Sequence, residues 1–215
     1  MTADNNATTP AANDRRFRLI PLADMTLAQR EVADALRSGP RAGTGAASLT
    51  DGAAPIGGPF NVWLRRPELA NLLQQVGSHV RFKSSLPARL NELAILVTAR
   101  HWTTQYEWFA HHRLALAAGL DPQLASDLAA GRRPANMQPD EALVHDFSHE
   151  LHTTHGVSDA TYAAVVERFG EAGAMDLIAV NGYYTLVSMT LNVDRTPLPG
   201  GATPPLAPLG WPARN

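Results

Sequence analysis

Apolar positions recur at helical intervals along most of this sequence and nowhere alternate over a useful length, so the pattern predicts an all-α protein without a sheet. MTLAQREVADALRSG reads as a first helix, with Thr26 as its N-cap and Gly39 as its terminator. Further helices are predicted at 67 to 81, 87 to 101, 104 to 119, 122 to 130, 139 to 154, 158 to 168 and 173 to 192, with Pro, Gly, Asp or Ser at most junctions. Between the first two helices, PRAGTGAASLTDGAAPIGGPF reads as a loop, flexible or ligand-gating. Residues 1 to 14 are small and polar and are expected to be disordered. The tail from Thr196 to 215 carries Pro197, Pro199, Pro204, Pro205, Pro208 and Pro212, which forbid a helix and suggest an arm or cover. Residues 15 to 195 then form one domain, and the absence of a repeat at 20 to 50 residues excludes a solenoid.

Two consecutive predicted helices each carry ionisable groups inside an apolar stripe. At about 100° per residue, Glu92 falls in line with Leu96 and Ala99 and beside Ile95, so it points toward the core. In the next helix, Glu107, His111, Leu114 and Ala118 form one seam, while His112, Arg113 and Gln105 fall off it. His111, not His112, is therefore the candidate histidine. Burying a carboxylate or an imidazole costs several kcal/mol unless it is paired, and groups with shifted pKa values are what acid–base chemistry uses. Helical spacing lets Glu107 hydrogen-bond His111. The plainer alternative is an i, i+4 pair at a partly solvated helix end, with Glu92 answering an arginine such as Arg89.

Composition narrows the classes. The 215 residues are 45% hydrophobic and 18% charged, enough for one domain with a sizeable core. A formal charge of −2 leaves no basic stripe for nucleic acid and no cationic cluster for a lipid surface. No stretch reaches the roughly 20 apolar residues that span a bilayer, and MTADNNATTPAAND lacks the features of a signal peptide, so the expectation is a cytoplasmic protein that engages no membrane. There is no cysteine, hence no disulfide and no thiolate metal site.

Other polar groups have plainer readings. His145, His149, His152 and His155 crowd HDFSHELHTTH, and His145 and His149 mimic the spacing of a zinc-binding helix. Leu143, Val144, Phe147 and Leu151 take one face, however, which turns His145, His149 and His152 toward solvent or a neighbouring subunit, and Asp146 stands where a zincin has its glutamate. No physiological metal is expected there. The last helix, AMDLIAVNGYYTLVSMTLN, is apolar almost throughout, as a central core helix or a subunit interface would be. Asn181, Tyr183 and Tyr184 read as satisfied core polar groups within reach of a pocket, and Phe60, Trp63, Trp102 and Trp108 as core aromatics. No glycine-rich phosphate loop is present, so no nucleotide cofactor is implied.

The run from Gly58 to Asn192 resembles the carboxymuconolactone decarboxylase and alkyl hydroperoxidase D superfamily of small all-helical proteins. The carriers are GPFNVWLRRPELA, LPARLNELAILVTAR, YEWFAHHRLALAAGL and FGEAGAMDLIAVNGYYTLVSMTLN. In the peroxidase branch a glutamate precedes Cys-x-x-Cys-x-x-x-His, which places the glutamate at Glu92, the histidine at His111 and the cysteines at Thr104 and Glu107. Without a thiolate those two positions cannot reduce a peroxide. The decarboxylase branch carries a Glu four residues before the same His, as Glu107 and His111 do here. The resemblance thus implies a cofactor-independent lyase acting on a small carboxylated lactone of aromatic catabolism, with His111 as proton donor and Glu107 holding its tautomer. Glu92 is then a second proton relay or a protonated carboxyl donating to the lactone oxygen. Arg66, Arg89 or Arg113 are candidates for the substrate carboxylates. The resemblance also implies a homotrimer or homohexamer. Two other classes remain: a non-catalytic or ligand-binding helical oligomer with a structural Glu/His network, and metal-dependent chemistry with Glu92, Glu107 and His111 as ligands.

Overall fold

Thr26 opens the first helix as the sequence predicts: its hydroxyl accepts from Gln29 N and the Gln29 side chain accepts from Thr26 N, a reciprocal cap. The computed structural model describes residues 14–42 and 55–207. Among these, eight α-helices follow one another without a strand: α1 (Leu27–Ser38), α2 (Gly58–Trp63), α3 (Pro67–Phe82), α4 (Ala88–His101), α5 (Gln105–Ala117), α6 (Pro122–Ala129), α7 (Pro139–Thr154) and α8 (Asp159–Asp194). The disorder expected of residues 1 to 14 falls, but for Asp14, which accepts from Arg195 Nη1, outside the described residues, as do the centre of the Gly-rich loop at 43–54 and the tail beyond 207.

Three elements differ from expectation. α2 falls where a loop was expected, because Gly57-Gly58-Pro59 reads as a turn although a proline in the first turn is also a helix start. The two helices expected at 158 to 168 and 173 to 192 are one kinked element of 36 residues, broken at Gly170, whose φ of 71° only glycine adopts cheaply. The tail contains a short 3-10 turn at Pro199–Gly201, with Gly200 and Gly201 at positive φ.

α4 is the centre. Every residue from Leu90 to Arg100 is buried, so the helix is enclosed rather than amphipathic, and it packs against α5, α7 and α8. Several of its polar groups are satisfied locally: Asn91 Nδ2 donates to Val80 O at 3.1 Å and Thr98 Oγ1 to Ala94 O at 3.0 Å, while Asn91 Oδ1 and Arg100 Nε are buried without a partner. Around it the core gathers Leu93, Leu96, Val144, Phe147, Leu177 and Leu191, all nearly or wholly removed from water.

The described segments before α1 and after α8 meet at the close of α8. The fully buried Asp194 carboxylate accepts from Arg15 Nη2 at 2.5 Å, Phe17 N at 3.0 Å and Thr196 Oγ1 at 2.6 Å. The described part of the tail lies as an arm against the α4–α5 corner. Leu206 is 2% exposed, its N donates to Gln105 Oε1 at 2.9 Å, Gln105 Nε2 returns a bond to Leu206 O at 2.7 Å, and Arg100 Nη1 donates to Ala207 O at 2.8 Å. No described helix is long and apolar enough to cross a membrane.

Candidate active site

The α4–α5 connection is only Trp102, Thr103 and Thr104. Trp102 N bonds Thr98 O at 3.0 Å, Thr104 N bonds Ala99 O at 2.9 Å, and Thr103 takes a φ of 47° to reverse the chain. The two helices therefore run back along each other as an antiparallel pair, and a residue two turns into α5 faces one near the start of α4. His111 meets Glu92 in this way: Nδ1 lies 2.7 Å from Glu92 Oε2, and both side chains are more than nine-tenths buried.

Glu107, one turn before His111, completes the arrangement. Its Oε1 lies 3.1 Å from His111 Nε2 as an ion pair, yet that oxygen has no aligned hydrogen bond. The expected Glu107–His111 contact is present at hydrogen-bond distance, less well aligned than the bond of the ring to Glu92. All three residues picked out by helical spacing are brought together. The buried stripe of α5 runs through Glu107, Trp108, His111 and Ala115, one position round from the Leu114 and Ala118 seam. The Tyr184 ring stands edge-on to His111 with centroids 4.9 Å apart, and Tyr183 packs edge-on to Tyr184 at 5.3 Å.

Burial opposes charge on the imidazole, but the combined pull of Glu92 and Glu107 outweighs it and raises His111 to about 9. The ring is an imidazolium at neutral pH. Its Nδ1 is directed to Glu92 and its Nε2 to Glu107, where the contact is looser. Burial pushes the Tyr183 phenol up to about 12 and Tyr184 well above its ordinary value, so both remain hydroxyl donors.

The arginines are not those expected. Arg89 pairs with Asp140 at 3.0 Å and with Glu141, so it answers α7 rather than Glu92. Arg66 and Arg113 are exposed. The cation beside the trio is Arg81, whose Nε lies 3.9 Å from Glu92 Oε1. Arg41, buried, lies over the Phe60 ring and bonds the Tyr183 hydroxyl where Gly77 leaves room. The sequence reading missed Arg81; the signal for its burial was its place one helical turn after Gly77, on the side of α3 that buries Gly77 and Val80.

A second polar network lies across α4, α7 and α8. His152 Nε2 is 2.9 Å from Thr98 Oγ1 and 3.0 Å from Asn181 Oδ1, and Asn181 Nδ2 donates to Ser148 Oγ at 3.0 Å and Leu177 O at 2.7 Å. Asn181 is a satisfied core group, as expected. The histidines of α7 are not all turned outward: His145 is 4% exposed and bonds Asp146, His152 is half-buried and stacks on His101, and only His149 faces outward. α7 is held between α4 and α8, so its buried face is broader than the stripe of Leu143, Phe147 and Leu151. Among the described residues no three His, Asp or Glu side chains are arranged to hold a metal ion. Trp63 and Trp108 are core aromatics, Phe60 and Trp102 partly so. Thr104 Oγ1, at one position where the resemblance puts a cysteine, is buried and makes no hydrogen bond.

No family model matches the chain, and no curated protein is similar to it in sequence. Solved structures are similar. A crystal structure of an AhpD-core protein described as peroxidase-related, from Ralstonia eutropha JMP134, is 17% identical, with 89% of this chain and 95% of that one covered at a TM-score of 0.68. The debrominase Bmp8, as a Cys→Ala variant in complex with 2,3,4-tribromopyrrole, is 8% identical over the same shares at a TM-score of 0.65. The fold is that of the alkylhydroperoxidase AhpD core, and at these identities the likeness is one of fold.

Proposed function

We propose that this AhpD-like protein is a cofactor-independent acid–base enzyme, a decarboxylase of small carboxylated lactones such as 4-carboxymuconolactone. The observation that carries the reading is the buried His111 imidazolium between Glu92 and Glu107, in a chain with no cysteine. A peroxidase of this fold class needs a thiolate, whereas loss of CO2 from a conjugated lactone needs a proton donor and a place for charge.

The carboxylate C–C bond breaks, CO2 leaves, and the electron pair delocalises through the ring alkene into the lactone carbonyl. His111 Nε2–H then protonates ring carbon, giving the enol-lactone, and the imidazole recovers its proton from water. Glu92 fixes the ring through Nδ1, and Glu107 favours the imidazolium. A tyrosine hydroxyl such as that of Tyr184 stabilises the dienolate oxygen in surroundings that exclude water.

The test is CO2 release and ultraviolet absorbance change with 4-carboxymuconolactone, for the wild type beside His111→Ala and Glu107→Gln. Turnover in the wild type and a loss of at least a hundredfold in both variants is expected, within the range usual for removing a proton donor or its partner. No turnover in folded protein overturns the substrate assignment. It then favours a ligand-binding oligomer in which the trio is a structural network.

A further inference from the structure

Arg81 is an arginine without the partners that a buried arginine requires. Its side chain is nine-tenths buried, yet its guanidinium donates no hydrogen bond to any described residue. Its one ion-pair contact is the 3.9 Å approach of Nε to Glu92 Oε1, beyond hydrogen-bond range. Elsewhere it lies over the ring of its neighbour Phe82 at 5.1 Å. A guanidinium presents five donors in a planar fork, and no nitrogen of Arg81 is sealed from water without a partner, so an incoming acceptor can reach them. In the same α3–α4 contact Asn91 Nδ2 donates to Val80 O at 3.1 Å, while Asn91 Oδ1 is buried without a partner.

The neighbours of Arg81 are the site. Glu92 links it directly to His111, and the Tyr184 ring lies against His111. The Tyr184 hydroxyl also makes no hydrogen bond to a described residue, and Arg81 is the charge that acts on it most strongly, so one cationic and one neutral donor stand in the surroundings of the Glu92–His111 pair. Glu92, Glu107 and His111 as carboxylates and imidazolium sum to one negative charge, which Arg81 offsets. An isolated cation is not the acceptor this surrounding asks for, because it would face an arginine and an imidazolium. A planar anion suits the fork.

We propose that Arg81 is the anchor of the site for a substrate carboxylate, held by its Nη donors on the Glu92 side of the Glu92–His111 pair. The inference rests on the reading of this site as an enzyme of small carboxylated substrates. It makes the carboxylate a requirement for binding and excludes the corresponding amide or ester.

The probe is 2-furoate, a five-membered oxygen ring with one carboxylate, compared with its uncharged amide, 2-furamide, by calorimetric titration at neutral pH. The wild type is expected to bind 2-furoate at millimolar concentration and the amide at least tenfold more weakly. Arg81→Gln is expected to lose about tenfold to a hundredfold in affinity for furoate and to leave the amide unchanged, the size of a charge-assisted hydrogen bond. Arg81→Lys, which keeps the charge and loses the fork, is expected to retain part of the affinity and serves if the Gln variant fails to fold. Equal affinity for furoate and furamide, no binding of furoate by the wild type, or furoate affinity untouched in a folded Arg81 variant each overturns the anchor. Arg81-dependent furoate binding without CO2 release from carboxymuconolactone keeps the anchor and sinks the reaction. Turnover of the lactone with KM unchanged in Arg81→Gln does the reverse.

Discussion

His111 Nδ1 and Glu92 Oε2, 19 residues apart in sequence, meet at 2.7 Å between α5 and α4 and make the charged state of a buried ring part of the fold. A histidine whose folded pKa is raised contributes stability that is fully present below its unfolded value of 6.5 and is lost as pH rises through about 9. At about 1.4 kcal/mol per unit, the contribution is a few kcal/mol. The melting temperature should therefore fall between pH 7 and pH 10. Glu92→Gln should flatten that fall, and an NMR titration of His111 should move toward 6.5 in the same variant. A His111 midpoint near 6.5 in the wild type refutes the charged-ring description.

The acid side should be governed by another histidine. Burial, with smaller repulsion from His101 and His149, lowers His152 to about 4, against the upward pull of its bond to Asn181. A depressed histidine makes the unfolded chain the better proton binder below 6.5, so stability is full above that value and declines as pH falls toward 4. His152→Gln, which can still reach Thr98 and Asn181, should reduce the slope of stability against pH between 6.5 and 4. Chemical denaturation at pH 7, 5.5 and 4.5 reads it directly. An identical slope in the variant removes His152 from the account.

The trio was legible because helical spacing is exact in a helix interior: Glu92, Glu107 and His111 could not lie on apolar stripes without facing inward. What spacing does not carry is how far round a helix burial extends. That depends on how many neighbours enclose it, so α4 proved buried on all sides and His145 on α7 proved buried rather than outward-facing. Partner choice was equally out of reach. Arg89 stands one helical turn before Glu92 in sequence, and only the packing of α7 shows that Asp140 and Glu141 take it. Gly58-Pro59 hid α2 because the same residues open a helix or make a turn.

Gly77 lets α3 lie against Tyr183 and Arg41. A Cβ placed there meets the Tyr183 hydroxyl and Arg41 Nη2 well inside contact distance. Gly77→Ala, which in an exposed helix would stabilise by up to about 1 kcal/mol, should instead cost about 1 to 3 kcal/mol through overpacking. Because Tyr183 packs on Tyr184 and Tyr184 on His111, the displacement should also weaken furoate binding. A Gly77→Ala protein as stable as the wild type contradicts the close approach.

The arm over the α4–α5 corner should be separable from the core. Leu206 buries nearly its whole side chain, and the two bonds between its backbone and the Gln105 side chain hold it at the start of α5, two residues before Glu107. Leu206→Ala removes apolar area worth about 1 to 3 kcal/mol at the site of contact, and Gln105→Ala removes both bonds. Either change should expose the segment after Thr196 to limited proteolysis at conditions where the wild type resists, while the helical circular dichroism signal stays intact, since α8 closes at Asp194 through its own bonds to Arg15 and Phe17. If both variants resist protease as the wild type does, these contacts do not hold the arm. If the helical signal falls with them, the arm is part of the core rather than a cover laid on it.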